Sequence, residues 1–259
     1  MWSEIVASRG ADEIGSCLLE YCHGISAEGF TQLTAYSDSS GGQNRNVKIT
    51  AMWTYITQAT GVEVVDHKFM VSGHSFLPND TDFALIERAK LKHSEIYVPE
   101  QWYDIIAKCC TKRPFTVNRM SSVTFKSTKP LLNSITNRKV SDDGQKINWL
   151  QIQWLRIRKD KPYVLYFKYN LDEDFPFSSV SFAKRGHQRN LGTFQLPQLY
   201  KDQRAVSKEK FLDLRKLLKY IPPIHHKFYG QIKHTGHDSS DILEDECLHQ
   251  SEEEETAQE

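Results

Sequence analysis

The first third of the chain alternates between segments with helical periodicity and segments with strand character. Apolar residues recur at helical spacing in residues 12–21, 46–59 and 80–93. Between these helices lie two runs rich in β-branched and aromatic residues, at 31–37 and 62–71. A helix–strand–helix–strand–helix order predicts an α/β sandwich in which at least two neighbouring strands run parallel.

The pattern changes after a fourth helix, which is predicted to begin at Pro99 and to end near Cys110. From there to about residue 185 the chain has mainly strand character, and Ser207 then caps a last helix. The predicted strands are at 115–120, 123–126, 147–158, 163–171 and 178–183, the third and fourth of them forming a hairpin. The domains predicted from this pattern are an α/β core at 1–112, a β-rich module plus C-terminal helix at 113–230, and a tail at 231–259.

Charge is distributed unevenly along the chain, although 33 basic and 33 acidic residues give a formal net charge of zero. Residues 238–259 contain ten acids and no Lys or Arg, which leaves 33 basic against 23 acidic residues, a net charge of +10, in 1–237. A basic body is typical of nucleic-acid binding, although a Lys-rich surface without such a role has the same composition. The acidic tail is predicted to be disordered, and we expect it to compete with nucleic acid for the basic body.

Cysteine usage and hydropathy indicate an intracellular protein. The five cysteines form no even, regularly spaced framework, which favours a reducing compartment. No run of 18 apolar residues is present that would span a membrane. The first residues contain Glu4, Arg9, Asp12 and Glu13 in place of the apolar segment of a signal peptide.

The first candidate site lies where the strand at 31–37 ends. Asp38 follows this strand, and the polar run Gly41, Gly42, Gln43, Asn44 and Arg45 leads into the next helix. Ligands gather at the carboxyl ends of strands in α/β sheets, and a glycine turn before a helix exposes amide groups to an anion. We therefore predict that Asp38 binds a metal ion while the polar run holds a phosphodiester. The alternative is a strand-to-helix turn that Asp38 merely caps.

The second candidate site is the segment from Gly73 to Glu87, which follows the strand at 62–71. Asp80 is predicted to cap the helix, and Asp82 is predicted as the second metal ligand, with Glu87 as its substitute. His74 is a candidate to bind the metal, orient a carboxylate or contact phosphate. If the two strands are neighbours, this segment begins near Asp38, and two carboxylates from separate elements suit Mg²⁺ or Mn²⁺. The alternative role of Asp82 is to interact with the helix dipole.

These motifs resemble a group of uncharacterised, transposon-derived animal proteins that share a domain of unknown function. The shared signatures are RG-x-x-E-I-x-S, SD-x-x-x-GQN[KR]N and GHS-[FY]-LPND-x-DFALIE, which begin here at Arg9, Ser37 and Gly73, and the segment 220–229 belongs to the same set. The resemblance covers about residues 2–230. It implies the ribonuclease-H-like core of DDE-type transposases, which cut and transfer DNA strands with Mg²⁺ in the nucleus.

The resemblance also implies that one catalytic carboxylate is missing. The first Asp of the transposase core belongs on a strand that precedes everything in this chain, which opens with Met1-Trp2-Ser3-Glu4. Asp38 and Asp82 match the second and third acids, and Glu4 or Glu13 is the available substitute for the first. The predicted fold is therefore a partial ribonuclease-H-like α/β sandwich, and its function is that of a transposase-derived protein with an incomplete site. The rivals are a domesticated, non-catalytic DNA-binding or interaction protein and a metal-dependent nuclease.

Two further groups of residues are more typical of structure than of function. Aromatic residues alternate with Arg and Lys in the predicted hairpin, as in proteins that stack on single strands, but a hairpin with one wet face gives the same pattern. His225 and His226 lack the paired spacing and neighbouring cysteines of a zinc site.

Overall fold

The computed structural model describes residues 1–71, 77–136, 139–184 and 190–235. Its regular elements are α1 (Ala11–Ala27), β1 (Gln32–Ser37), α2 (Val47–Ala59), β2 (Val64–Phe69), α3 (Pro78–Lys90), α4 (Pro99–Lys108), α5 (Lys129–Ser134), β3 (Trp154–Arg158), β4 (Val164–Lys168), β5 (Ser178–Ser181), α6 (Lys208–Leu217) and α7 (His226–Gly230). Within these residues, no helix is long and apolar enough to cross a membrane.

The five strands form one mixed sheet in the order β1-β2-β3-β4-β5. β1 and β2 run parallel, with Ser37 opposite Phe69, and α2 connects them. The remaining neighbours are antiparallel. The mixed sheet confirms the predicted α/β class, and the β1–β2 pair confirms the predicted parallel neighbours.

The hairpin predicted in the second half of the chain is present and belongs to the same sheet as β1 and β2. β3 pairs with β4, and β3 also pairs with β2, so the sheet continues across the boundary predicted between residues 112 and 113. The reason is apolar burial. Leu155, Ile157, Leu165 and Phe167 lie on the face of the sheet that joins the main hydrophobic core, and a separate hairpin would leave them in water.

The strands predicted at 115–120 and 123–126 are wrong. Both runs are irregular, apart from a turn and an isolated bridge between Lys126 and Gln198. Phe125 is buried as a single side chain against Trp2 and Tyr200. Strand-like alternation does not form a strand where no neighbour supplies the hydrogen bonds.

α2 is the centre of the core. It buries eight of its thirteen residues, among them Trp53 and Ile56, against the sheet and against α1. The same face of the sheet contributes Val65 from β2 and Leu155 from β3. The opposite face, which we call the outer face, carries Thr34, Tyr36, Asp66, Lys68, Trp154, Arg156, Tyr166 and Lys168 at alternate positions. None of them is part of the main hydrophobic cluster around α2, although Trp154 and Lys168 are buried on the outer face.

The N-caps of α1 and α3 are not the aspartates near their starts, although Asp80 is predicted as a cap. Gly10, and not Asp12, is the N-cap of α1, and the Asp12 carboxylate instead accepts hydrogen bonds from the backbone N–H and the hydroxyl of Thr128, both at 2.7 Å. Asp80 is the third residue of α3, where its carboxylate accepts a hydrogen bond from the backbone N–H of Leu77 at 2.9 Å. Both acids stabilise the chain, but through neighbours that spacing alone does not identify.

Candidate nucleic-acid and metal site

Asp38 lies directly after β1, at the carboxyl end of the strand, as predicted. Its Oδ1 accepts hydrogen bonds from Asn44 Nδ2 at 2.6 Å and from the backbone N–H of Ser40 at 3.2 Å. The side chain is exposed. One oxygen of the carboxylate is therefore occupied by the loop that follows it, as in a turn-capping aspartate.

The loop from Ser40 to Asn46 is closed mainly by its own polar groups. The backbone N–H groups of Asn44 and Arg45 donate to the Ser40 carbonyl at 2.8 and 2.9 Å. Asn46 donates from Nδ2 to the Gly41 carbonyl and accepts from the backbone N–H of Ile49 at 3.0 Å, which caps α2. In the described part of the chain, glycines with positive φ occur at positions 29 and 144, and Gly41 and Gly42 are not among them. The start of α2 is thus capped by this chain itself.

Arg45 lies at the edge of the core. Its Nη1 donates to the Ile152 carbonyl at 3.3 Å, and its guanidinium lies 5.9 Å from the centre of the Phe69 ring. Burial lowers the pKa of Arg45, and its Nε is buried without a hydrogen-bond partner among the residues that the structure describes. These contacts fix the loop onto the carboxyl end of β2.

The second strand leaves the sheet beside Asp38, as the parallel arrangement predicts. The backbone N–H of Met70 donates to the Ser37 carbonyl at 2.8 Å, and Ser39 Oγ donates to the Met70 carbonyl at 2.6 Å. The chain that leads to the Gly73–Glu87 segment therefore starts next to the Asp38 loop. His74 lies outside the described residues.

Asp82 is on the second turn of α3 and forms an ion pair with Arg113. α3 packs against α4, and it buries none of its own residues. Asp38 and Asp82 therefore have separate partners, Asn44 and Arg113. Across 1–71, 77–136, 139–184 and 190–235, no group of three or more His, Cys, Asp or Glu side chains is placed to hold a metal ion. The magnesium site stays a prediction.

The two substitutes proposed for the first carboxylate have structural partners. Glu13 is buried in α1 and accepts hydrogen bonds from the Ser8 hydroxyl and from the Tyr200 hydroxyl. Burial, together with the bond to Glu13, raises the pKa of Tyr200. Glu4 forms an ion pair with Lys210 of α6. Both carboxylates connect the start of the chain to its C-terminal part.

A buried histidine beneath the Asp38 loop is absent from the sequence prediction. His67 lies on the core side of β2, and its Nδ1 accepts a hydrogen bond from Trp53 Nε1 at 3.1 Å. Because an indole nitrogen only donates, the proton of the neutral ring is on Nε2, which donates to Ser37 Oγ at 2.9 Å. The Ser37 hydroxyl then donates to the Asp38 carbonyl at 2.8 Å.

This chain of hydrogen bonds excludes one type of catalysis. Burial lowers the pKa of His67 to about 4, so the ring is neutral at neutral pH. Since Nε2 already carries the proton, His67 does not take a proton from Ser37 as the base of a Ser–His pair does. The alternation of Val65, His67 and Phe69 on one side of the predicted strand is the signal that would have identified a buried histidine.

The aromatic and basic residues of β3 and β4 contact one another on the outer face. Lys68 Nζ lies 3.8 Å and Lys168 Nζ 4.6 Å from the centre of the Trp154 ring. Asp66 accepts hydrogen bonds from Trp154 Nε1 at 2.6 Å and from Arg156 Nε at 2.8 Å. Trp154 is only 4% exposed. The arrangement favours a structural cluster over a platform for stacking bases.

Positive charge is concentrated at the C-terminal end of the described chain. Residues 201–235, which we call the C-terminal basic segment, contain nine Lys or Arg and three Asp or Glu, a net charge of +6. Ser207 caps α6 as predicted, and α6 buries none of its residues. Its Leu217, although apolar, is 48% exposed. The segment is attached to the body by the backbone N–H of Arg204, which donates to the Ile5 carbonyl at 2.8 Å.

No protein-family model, no curated protein and no solved structure matches this chain.

Proposed function

We propose that this chain is a transposase-derived protein that binds DNA through its C-terminal basic segment and does not cut it. The observation that carries the proposal is the net charge of +6 in residues 201–235, where eight of the nine Lys and Arg residues are exposed. Lys and Arg on an exposed helix bind phosphates and displace counterions from DNA. This function corresponds to the domesticated, non-catalytic form of the family that the motifs resemble.

The geometry around Asp38 supports the absence of cleavage. Asn44 and Ser40 bind its Oδ1, and Asp82 is paired with Arg113 on a peripheral helix. Two-metal chemistry requires carboxylate oxygens that converge on the ions. The β1–α2–β2 unit, with its parallel strands, is the part of the fold on which we base the ribonuclease-H-like assignment.

DNA binding is tested by fluorescence anisotropy with a labelled duplex over a series of salt concentrations. We expect wild-type affinity to fall steeply with salt, and the triple variant Lys208→Gln, Arg215→Gln, Lys219→Gln to bind more weakly. Each lost phosphate contact reduces the slope of log K against log salt by about 0.9, so three contacts reduce it by about 3.

A matched triple variant tests whether DNA affinity depends on the C-terminal basic segment or only on the net charge of the chain. Arg88→Gln, Lys90→Gln and Lys92→Gln remove the same charge from the end of α3 and the residues after it. We expect this variant to keep most of the affinity and salt slope of the wild type. Equal losses in the two triple variants, or no binding by the wild type at low salt, would contradict the proposal.

A second candidate function is Mg²⁺-dependent strand cleavage. It is favoured by one observation, the exposed carboxylate of Asp38 at the carboxyl end of β1 beside the exit of β2. The test is nicking of labelled DNA with Mg²⁺ or Mn²⁺, comparing wild type with Asp38→Ala. Nicking that the variant loses would establish cleavage and overturn the non-catalytic proposal, whereas DNA binding without nicking supports that proposal.

A further inference from the structure

β1 forms one edge of the sheet, and half of its backbone groups point away from the sheet. The Thr31 carbonyl accepts a hydrogen bond from the backbone N–H of Glu63, and the Ser37 carbonyl accepts one from Met70. Backbone groups of alternate residues point to the same side of a strand, so the odd-numbered residues of β1 bond to β2. The N–H and C=O groups of Gln32, Thr34 and Tyr36 therefore face the open edge.

These edge groups have no partner in the described part of the chain, and the side chains beside them do not protect the edge. No hydrogen bond from another described element reaches the backbone of Gln32, Thr34 or Tyr36. All three side chains are exposed, and β1 contains no charged residue, proline or glycine. Natural edge strands that remain single are usually blocked by Lys, Pro or a bulge, because an open edge binds another strand.

We propose that β1 pairs in antiparallel orientation with β1 of a second copy of this chain, across a two-fold axis at Thr34. A strand from a second copy fits because the edge is complementary to itself. The three edge-facing residues are spaced symmetrically about Thr34, so Gln32 pairs with the partner's Tyr36 and Thr34 with the partner's Thr34. The same pairing satisfies the edge-facing donors and acceptors of both strands.

Side chains on both faces of the strand also fit this pairing. Leu33 and Ala35 pack against the hydrophobic core on the inner face, and each would lie opposite the other in the partner, which extends the apolar layer across the interface. On the outer face, uncharged side chains meet and no like charges lie opposite one another. The pairing joins two five-stranded sheets into one continuous sheet.

The proposal is tested by sedimentation velocity of the full chain over a range of concentrations. We expect a monomer–dimer equilibrium in the wild type. Thr34→Pro removes an N–H that the monomer does not use, and we expect the dimer to dissociate about tenfold more readily or worse, because two equivalent hydrogen bonds are lost. Ala35→Pro is the matched control, since it removes an N–H that bonds to β2 and should destabilise the monomer itself.

A charge exchange at the two-fold axis gives the sharper test. Thr34→Lys and Thr34→Glu each place like charges opposite one another, so we expect each variant alone to be monomeric. An equimolar mixture of the two should regain the dimer, because Lys then faces Glu. Because Thr34 is exposed, both variants should unfold in urea like the wild type at protein concentrations where the wild type is also monomeric.

A wild-type chain that stays monomeric, or a dimer that survives Thr34→Pro and Thr34→Lys, would overturn the pairing. If the wild type dimerises but a mixture of the Lys and Glu variants does not, the two-fold axis does not lie at Thr34 and the proposal also fails. The result is independent of DNA binding, since α6 and β1 are separate elements.

Discussion

α2 and α3 are both helices of thirteen residues that follow a sequence motif, but their roles in the fold are opposite. α2 buries eight residues and contacts α1, α5, β2 and β3. α3 buries none and packs mainly on α4. The motif before α2 is therefore joined to the helix at the centre of the hydrophobic core, whereas Asp82 lies on a helix that contributes little to the core.

Polar groups show the same contrast. His67 is 3% exposed and both its ring nitrogens have partners, one of them from Trp53 of α2. The Asp82 side chain is 27% exposed and its partner Arg113 is 74% exposed. Polar contacts around α2 are thus buried, and removing one partner there should cost considerable stability. The contact on α3 is partly in water, and removing one partner there should cost little.

The largest expected loss of stability follows from truncating Trp53, the aromatic residue in the centre of α2. Trp53 is fully buried, and Trp53→Ala should lower the free energy of unfolding by about 3–5 kcal/mol. Phe83 of α3 is 59% exposed, and Phe83→Ala should lower it by less than about 1 kcal/mol. Urea denaturation followed by circular dichroism measures both. Similar losses in the two variants would mean that α3 belongs to the core.

The second prediction concerns the pH dependence that His67 gives to the fold. Burial lowers its pKa from 6.5 to about 4, so between these values the unfolded chain binds a proton that the folded chain does not. The contribution of His67 to the free energy of unfolding is fully present above pH 6.5. It decreases by on the order of 3 kcal/mol in total as the pH falls from 6.5 to 4.

The control for this prediction is His67→Gln, which keeps a polar side chain on β2 but does not titrate. Its free energy of unfolding should be lower than that of the wild type at neutral pH and should fall less between pH 6.5 and 4. The difference between the two profiles isolates His67 from the carboxylates, which titrate in the same range. Parallel profiles would show that the ring is not held neutral.

Local pattern was sufficient to predict the elements that carry most of the core. The helix around Trp53, the parallel pair β1–β2 and the β3–β4 hairpin each follow from periodicity and β-propensity within a short window. The spacing of Cys17 and Cys22 on one helix predicts core cysteines and not zinc ligands. Cys22 is buried, which raises its pKa to about 12, whereas Cys17 is only half-buried. In these segments the local preference and the tertiary environment agree.

The parts of the fold and of the candidate site that local pattern did not predict depend on contacts between distant segments. Joining β3 to β2 brings together residues about ninety positions apart, and no spacing in the sequence encodes that pairing. Phe83 and Leu217 have the periodicity of buried residues but are exposed, since nothing in the described chain covers those faces. The site prediction depended on bringing Asp82 toward Asp38, which requires knowledge of where α3 packs.

The third prediction compares two aspartates that occupy the first two turns of their helices. Asp12 of α1 has a side chain that is 13% exposed; it binds Lys48 of α2 at 3.1 Å and accepts two hydrogen bonds from Thr128. Asp12→Ala leaves the Thr128 donors without a partner and should lower the free energy of unfolding by about 2 kcal/mol.

Asp82→Ala removes an ion pair whose partner is mostly in water, and its cost should be below about 0.5 kcal/mol. Both values come from urea denaturation at low and at high salt. Salt should shrink the Asp82 effect and change the Asp12 effect little, because buried pairs are poorly screened. A large, salt-resistant loss in Asp82→Ala would place Asp82 in a desolvated site, and that result would favour the metal-ligand role over the surface ion pair.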